Sequence, residues 1–386
     1  MQVRITAVYM RGGSSKAVFF MEKDLPSDPE SRDRVILAAF GSPDPNARQI
    51  DGMGGAVSTT SKVAIISPSK VPGTDVNYNF GQVSVTAPLI DYKGNCGNIS
   101  SAVGPFAIDE GLVSAQEPMT TVRIWQENTR KVIIAEVPVK DKKHQVEGDY
   151  SIDGVPGSGA KVTLRFLEPG GSVTGKLLPT GNVRDTVETR QYGTFTVSIV
   201  DAANPVVFLK AGELGLEGTE IDEIDSNPEI LCKLQVIRSY AAVMIGLAET
   251  PEEAAEYSPA IPKIAFVCEA KKYKAITGRL ITAADIDLVA RIMSMGKLHR
   301  AFALTGAICT AGAAKIEGTV VNQVMDEAGL SREEIRIGHP GGILPVKPLI
   351  EKREGDFYYV EAIAGRTARR LMEGFVLVPE KSFSQL

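Results

Sequence analysis

Two segments of this chain predict buried helices rich in glycine and alanine, and each lies between runs of strand-forming residues. The first begins near Gly97. The second, HRAFALTGAICTAGAAKI, begins near Ala301 and is almost entirely small or apolar. A helix that is apolar on all sides is buried inside a protein rather than laid on its surface. The flanking runs are short and rich in β-branched residues, which favours strands. This order predicts two similar α/β units, each a mixed sheet curled around one central helix.

The length of the chain agrees with two units. Its 386 residues exceed what one ordinary hydrophobic core holds, and domains of about 150 to 200 residues are the usual solution. We expect an N-terminal α/β domain over residues 1–184 with its central helix near 97–111. We expect a C-terminal α/β domain over residues 185–386 with its central helix near 300–316.

The net charge and the positions of the cysteines argue against several classes of protein. The formal net charge is −5 and no segment is strongly basic, which argues against nucleic acid as a partner. No apolar run approaches the 18 residues of a membrane span, and the start, MQVRITAVYM, resembles a strand rather than a signal peptide. The four cysteines are far apart, with no CxxC pair, so we predict neither a disulfide framework nor a zinc site. A cytoplasmic protein fits these features.

The stretch GNCGN precedes the first central helix and contains Cys96. A helix N-terminus carries unpaired N–H groups and a partial positive charge. The N–H groups of Gly97 and Asn98 are therefore candidates for binding a carboxylate, and the same field stabilises a thiolate. The alternative is that Cys96 packs as a small apolar residue in a tight turn, and the residues alone leave both interpretations open.

Two glycine-rich loops earlier in the chain contain further candidates. In RGGSSK, the glycines allow close backbone approach, and the hydroxyls of Ser14 and Ser15 suit an anion. The alternative for this loop is a tight turn with solvated polar groups. In DGMGGAVSTTSK, Lys62 stands at the mouth of a strand, where a lysine is either a surface residue or a partly desolvated base. Neither loop matches the P-loop pattern.

The segment SMGKLHRA leads into the second central helix. Lys297 and His299 stand there, where the N-terminus of that helix would meet a ligand. The chain has no HExxH, DxDxDG or GxSxG motif, and its glycine clusters lack the βαβ context of a dinucleotide site. We therefore predict no metal and no cofactor.

Several long motifs, taken in order, resemble the PrpF-type isomerase family over nearly the whole chain. They are YMRGGSSKAVFF, GSPDPNARQIDGMGGAVSTTSK, FGQVSVTAPLIDYKGNCGN, PTGN, SMGKLHRA and GRTARRLMEGFV. The resemblance implies a diaminopimelate-epimerase-like fold, with two similar α/β domains and an active site between them that faces both helix N-termini. This agrees with the two-unit pattern.

The resemblance also implies roles for Lys62 and Cys96, which match positions that the family uses in acid–base chemistry. Epimerases of this fold place a second cysteine at the start of the second central helix. This chain departs from that pattern, because its next cysteine there is Cys309, about two turns into the helix. A proton shuttle centred on lysine is therefore expected instead of a two-cysteine racemase. Cys309 itself is expected to lie in the core.

The activity that the resemblance implies is a cofactor-independent shift of a C=C bond by allylic proton transfer in a small branched unsaturated dicarboxylate. The expected reaction converts 3-methylitaconate to 2,3-dimethylmaleate. The alternatives are cis-trans isomerisation of 2-methylaconitate and tautomerisation of 4-oxalomesaconate. A non-enzymatic alternative is a carboxylate-binding accessory protein of an aconitase-like dehydratase. Ser14, Ser15, Gly97, Asn98, Lys297 and His299 are the candidates for binding carboxylates, and we expect a homo-oligomer.

Overall fold

The computed structural model describes residues 1–383 of the chain. Its strands, in chain order, are β1 (Gln2–Gly12), β2 (Ser15–Met21), β3 (Lys62–Pro68), β4 (Val76–Val83), β5 (Ile90–Asp91), β6 (Met119–Gln126), β7 (Lys131–Lys140), β8 (Lys143–His144), β9 (Val162–Leu167), β10 (Asp185–Thr189), β11 (Gly193–Ala202), β12 (Asn204–Lys210), β13 (Lys263–Glu269), β14 (Tyr273–Lys274), β15 (Leu280–Ile281), β16 (Leu288–Ser294), β17 (Lys297–Leu298), β18 (Ile335–His339), β19 (Gly342–Arg353), β20 (Asp356–Arg366) and β21 (Ala368–Pro379).

The helices are fewer and stand between the strands. They are α1 (Pro29–Phe40), α2 (Gly97–Asp109), α3 (Asp222–Asp225), α4 (Pro228–Met244), α5 (Pro251–Tyr257), α6 (Leu304–Lys315) and α7 (Glu327–Ser331). Short 3-10 turns occur at Glu22–Asp24, Ala211–Leu214, Ala283–Asp285, Asn322–Val324 and Glu380–Phe383. None of the helices within residues 1–383 is long and apolar enough to cross a membrane.

The chain divides into two compact units. Within the described residues, unit 1 comprises residues 1–152, 157–164 and 365–383, and unit 2 comprises residues 153–156 and 165–364. The end of the chain thus groups with the N-terminal part. The boundary predicted between residues 184 and 185 separates two domains expected to fold independently of each other. That boundary stays a prediction.

In unit 1 the strand order is β21–β1–β2–β3–β4–β6–β7. β1 is antiparallel to both β21 and β2, and β2 is parallel to β3. β3 is antiparallel to β4, β4 is parallel to β6, and β6 is antiparallel to β7. The two parallel pairs are bridged by α1 and α2, as parallel neighbours require a crossover connection.

Unit 2 repeats this order and these directions. Its strands follow the order β10–β11–β12–β13–β16–β18–β19, and its parallel pairs are β12 with β13 and β16 with β18. The helices α4 and α6 supply the crossovers. In addition, β20 pairs with β19 along the far edge. The two units therefore share one topology, as the sequence pattern predicts.

The central helix of unit 1 is α2. All of its residues from Gly97 to Ile108 are buried, and it contacts β1, β2, β6, β7 and β21. Gly104 allows the close approach to the sheet, because a Cβ atom there would lie 2.8 Å from Cγ2 of Val137. Small residues thus let α2 pack against strands on several sides.

The central helix of unit 2, α6, is buried from Leu304 to Ala314 and contacts β11, β12, β18 and β19. It begins a few residues later than the sequence pattern suggests, because the backbone stays extended up to its N-cap residue, Ala303 (φ −66°, ψ 123°). Cys309 is fully buried in this helix, and its Sγ donates to the Val200 carbonyl at 3.1 Å. The expectation that Cys309 belongs to the core is confirmed.

Candidate active site

The first turn of α2 is the centre of the candidate site. Cys96 is its N-cap residue, with extended backbone angles (φ −113°, ψ 95°) and no capping hydrogen bond from its side chain. Gly97 and Asn98 follow as the first two helical residues, and both are buried. A helix N-terminus presents N–H groups and a partial positive charge, so this turn is electrostatically suited to an anion.

Lys62 is buried at the start of β3, with only 7% of the residue exposed. Its Nζ donates to Oε1 of Gln82, the residue opposite on β4, at 2.5 Å and lies 5.2 Å from the ring centroid of Phe80. No carboxylate within residues 1–383 forms an ion pair with it. Burial lowers the pKa of the Lys62 ammonium. Of the two alternatives for Lys62, the structure shows the desolvated amine.

Cys96 and Lys62 are electrostatically coupled. The negative charge that Cys96 carries as a thiolate raises the pKa of Lys62 and partly offsets the effect of burial. Cys96 itself is partly exposed. The roles of Lys62 and Cys96 in proton transfer stay predictions.

The β1–β2 hairpin closes over this turn of α2. Gly13 lies in the hairpin turn with φ +51°, and a Cβ atom there would stand 2.3 Å from Oδ1 of Asn98. Ser14 follows in the turn and is partly exposed, whereas Ser15 opens β2 and is 2% exposed. The Ser15 hydroxyl has no hydrogen-bond partner within residues 1–383. The structure thus brings Ser14, Ser15 and the α2 N-terminus into one region.

Arg366 also reaches this turn, and no sequence pattern predicts a role for it. It is 4% exposed, and its Nε donates to Oδ1 of Asn98 at 3.1 Å. Burial lowers its pKa to about 10, so the guanidinium remains charged at neutral pH. The two residues are 268 positions apart in the chain, so no local pattern joins them. The only signal in the sequence was the motif GRTARRLMEGFV, which contains Arg366.

Tyr78 is a second residue that the sequence analysis missed. It lies on β4, is fully buried, and its hydroxyl faces Ser100 of α2 without a hydrogen bond of normal geometry. Burial raises the pKa of the Tyr78 phenol well above its usual range, and the negative charge of Cys96 raises it further. Tyr78 is therefore a neutral phenol close to the thiol. As one tyrosine within an ordinary strand pattern, it carried no signal in the sequence.

Lys297 and His299 belong to unit 2, whereas the other six candidate residues belong to unit 1. Lys297 opens the short strand β17 and is exposed. His299 is 5% exposed, and its backbone N–H donates to the Ile292 carbonyl at 2.9 Å. The structure places both residues shortly before α6. Their roles as substrate-binding residues stay predictions.

The N-cap residue of α6 is Ala303, which is the counterpart of Cys96 in the repeated topology. A methyl group therefore stands where an epimerase of this type would need a second thiol. Cys309 cannot replace it, because its side chain is fully buried and burial raises its pKa well above the usual range.

Comparison with known proteins places this geometry in a family. A family model described as "PrpF protein" matches residues 2–379. The 3-methylitaconate isomerase of Eubacterium barkeri is 50% identical over 379 residues, which cover 98% of each chain. The 2-methyl-aconitate isomerase of Shewanella oneidensis is 44% identical over 391 residues, again with 98% of each chain covered.

Solved structures agree with the fold. A crystal structure of methylitaconate-delta-isomerase superimposes with a TM-score of 0.79 and 48% identity, covering 100% of this chain and 98% of the other. A hydroxyproline epimerase from Agrobacterium vitis shares the fold with a TM-score of 0.58 at 11% identity, covering 98% of this chain and 94% of the other. The predicted epimerase-like fold is confirmed.

Proposed function

This chain belongs to the PrpF protein family, and from that premise we propose that it is an isomerase that moves a C=C bond in a small branched unsaturated dicarboxylate. The reaction that we propose converts 3-methylitaconate to 2,3-dimethylmaleate. The observation that carries the proton-transfer chemistry is the buried amine of Lys62, whose pKa burial lowers and a negative charge on Cys96, the N-cap residue of α2, raises. The choice of substrate is supported by the full-length similarity to a 3-methylitaconate isomerase.

The proposed reaction moves one proton and changes no atom count. A base removes the proton from the carbon that bears the methyl group and one carboxylate. The electron pair spreads through the neighbouring double bond to give a dienolate. A proton returns at the terminal methylene carbon, which becomes a methyl group, and the double bond now lies between the two carboxylate-bearing carbons. Since proton transfer alone balances the reaction, the proposal includes no cofactor.

Lys62 is the proposed base. Burial lowers its pKa, so a larger fraction of the amine is neutral at a given pH than for a solvated lysine. The same amine, once protonated, can deliver the proton to the far carbon of the dienolate. Cys96 is the proposed second acid–base group, or shapes the pocket beside it. The α2 N-terminus stabilises the negative charge that develops on the substrate carboxylate.

Other members of the family are named for reactions of related acids. The isomerisation of 2-methylaconitate is the second candidate for the reaction of this chain. The 44% identical relative is named a 2-methyl-aconitate isomerase, whose substrate has a third carboxylate. Tautomerisation of 4-oxalomesaconate uses the same allylic proton transfer. Both remain alternatives, as do a racemase and a non-enzymatic accessory protein that binds carboxylates. We also propose a homo-oligomer.

The test is to incubate the purified protein separately with 3-methylitaconate, 2-methylaconitate and 4-oxalomesaconate in D2O and to follow each by NMR. We expect 3-methylitaconate to be converted fastest, with deuterium entering the new methyl group. Faster conversion of either other acid would move the assignment to that substrate. No conversion of any of them, together with binding, would favour the accessory protein.

A further inference from the structure

Arg366 is a buried cation that lacks an acidic partner. It is 4% exposed, and no carboxylate within residues 1–383 lies within ion-pair distance of its guanidinium. Arg370, four residues further along the chain and partly buried, contrasts with it, because that side chain pairs with Asp109, Glu110 and Glu373. Removing a charge from water is costly unless an opposite charge or hydrogen bonds compensate for it.

The hydrogen bonds of Arg366 leave part of the guanidinium unused. Its Nε donates to Oδ1 of Asn98 at 3.1 Å, and its Nη1 donates to the Gly365 carbonyl at 2.8 Å. Neither of these two hydrogen bonds uses its Nη2. The fully buried Arg291 of unit 2 is different, since Nε, Nη1 and Nη2 all donate to backbone carbonyls. A structural role accounts for Arg291, whereas Arg366 retains donors for a ligand.

A second unpaired group lies on the same face of the sheet. Ser15 is 2% exposed, and its hydroxyl has no hydrogen-bond partner within residues 1–383. Ser15 pairs with Gly12 across the hairpin, and residues paired in this way point to one side of the sheet. That side faces α2, because a Cβ atom on Gly12 would lie 2.6 Å from the carbonyl oxygen of Asn98.

The hairpin and the segment after β20 hold these groups rigidly. The Gly13 N–H donates to the Thr367 carbonyl at 3.0 Å, and Arg11 Nη1 donates to the same carbonyl at 2.9 Å. Thr367 is the residue next to Arg366, so the hairpin turn and the guanidinium are fixed to each other through the backbone. A preorganised set of donors costs little to order when a ligand arrives.

We propose that Arg366 and Ser15, together with the N-terminal turn of α2, bind one carboxylate of the substrate in unit 1. This inference rests on the proposed function and adds residues that bind the carboxylate next to the reacting carbon. Arginine offers a planar fork that matches a carboxylate in two parallel hydrogen bonds. The carboxylate replaces the missing acidic partner of Arg366 and accepts the hydrogen bond of the Ser15 hydroxyl.

The position of this carboxylate explains how it assists the reaction. Asn98, which holds Arg366, is two residues from Cys96, and Cys96 is coupled to Lys62. The carboxylate therefore sits beside the proton-transfer pair. Removal of the adjacent proton places negative charge on its oxygens, where the Arg366 guanidinium and the α2 N-terminus stabilise it. Such stabilisation is stronger in the transition state than in the ground state, which lowers the barrier.

The experiment compares Arg366→Met with the wild type in two measurements, the kinetics with 3-methylitaconate and the affinity for maleate by calorimetry. We expect kcat/KM to fall about 10- to 100-fold and the Kd for maleate to rise by a similar factor, as for loss of a hydrogen bond to a charged group. Arg366→Lys retains the charge without the fork, and an intermediate loss is expected. In Arg366→Ala, added guanidinium ion is expected to restore part of the lost activity.

Arg369→Met is the matched control, because it removes an exposed arginine three residues along the same segment. We expect its maleate affinity to equal that of the wild type. Equal losses in Arg366→Met and Arg369→Met would overturn the proposal, since they would reflect net charge alone. If Arg366→Met does not fold, Ser15→Ala decides, and unchanged maleate affinity in that variant would overturn the proposal.

The two measurements separate this inference from the proposed function. If maleate affinity depends on Arg366 but no unsaturated acid is converted, the carboxylate site stands and the isomerase proposal fails. If 3-methylitaconate is converted and neither kcat/KM nor maleate affinity changes in Arg366→Met, the isomerase proposal stands and the carboxylate site fails.

Discussion

At the scale of single residues, the environment of Lys62 decides what its amine can do. A solvated lysine is almost fully protonated at neutral pH, whereas burial beside Gln82 and Phe80 lowers the pKa of Lys62. The substitution Lys62→Met retains the buried stem and removes the amine. We expect deuterium exchange into 3-methylitaconate to fall by at least about 100-fold, the lower range for loss of a general base. Full exchange in this variant, measured by NMR, would exclude Lys62 as the base.

Burial of Lys62 also affects stability. Between its lowered folded pKa and the unfolded value of 10.5, the unfolded chain binds more protons at Lys62 than the folded chain. The contribution of Lys62 to the free energy of unfolding therefore rises with pH across that window. Compared with Lys62→Met, the wild type should gain stability between pH 7 and pH 10.5. Urea denaturation at several pH values tests this, and a constant difference between the two proteins would contradict it.

Cys96 acts on Lys62 through its charge. Its thiolate raises the pKa of Lys62, so Cys96→Ser should lower that pKa and shift the acidic limb of the kcat/KM profile to lower pH. We expect this variant to retain more activity than Lys62→Met, because the amine remains. A pH profile of kcat/KM for each variant is the measurement. An unchanged acidic limb in Cys96→Ser would show that the two groups are not coupled in solution.

At the scale of elements, the β1–β2 hairpin positions the α2 N-terminus. Gly13 adopts φ +51°, and a Cβ atom there would collide with the Asn98 side chain. We expect Gly13→Ala to destabilise unit 1 by more than about 1 kcal/mol, the cost of the left-handed conformation alone, and to raise KM. Gly73→Ala is the control, because Gly73 has φ +77° with no atom within 4 Å. Equal thermal shifts in the two variants would mean that the contact with Asn98 is unimportant.

Elements that depend on residues close together in the sequence could be predicted, whereas contacts between distant residues could not. The helix predicted near residues 97–111 spans Gly97–Asp109, because small and apolar residues on all sides give a clear local pattern. The helix predicted near 300–316 begins at Leu304, because Ala303 still has an extended backbone, which the small and apolar pattern does not reveal. The glycine-rich loops indicated the hairpin residues. Arg366 and Tyr78 were missed, since they reach the site through strand pairings that no local pattern encodes.

At the scale of the whole molecule, the chain returns to unit 1 at its end. The last strand, β21, pairs with β1 from Gln2 to Gly12, so unit 1 needs both ends of the chain. We expect a chain truncated after Gly365 to lose the cooperative unfolding of unit 1, because β1 would expose an unpaired edge. Amide hydrogen exchange on β1 and β2 measures this. A fragment of residues 1–184 that melts cooperatively would contradict it and support the predicted domain boundary.

The repeated topology was predicted as a pattern of strands and one buried helix in each half, and the structure shows the shared strand order. The pattern did not predict that residues 365 onward belong to unit 1. Local sequence patterns carry no information about the pairing of β21 with β1, which are far apart in the chain. Cys96 and Ala303 show that a shared topology does not imply the same side chains at equivalent positions. The two units share a fold, but the sequence gives only one of them a thiol at its helix N-terminus.

The pairing of β21 with β1 has a consequence for how the protein is made. N-terminal residues leave the ribosome before C-terminal ones, and domains generally fold as they emerge. Unit 2 is fully synthesised by residue 364, whereas unit 1 still lacks its final strand and Arg366 at that point. Residues 2–12 therefore cannot pair with β21 until residues 368–379 have been synthesised. The carboxylate site that we propose for Arg366 and Ser15 would form only after residue 366 has been synthesised.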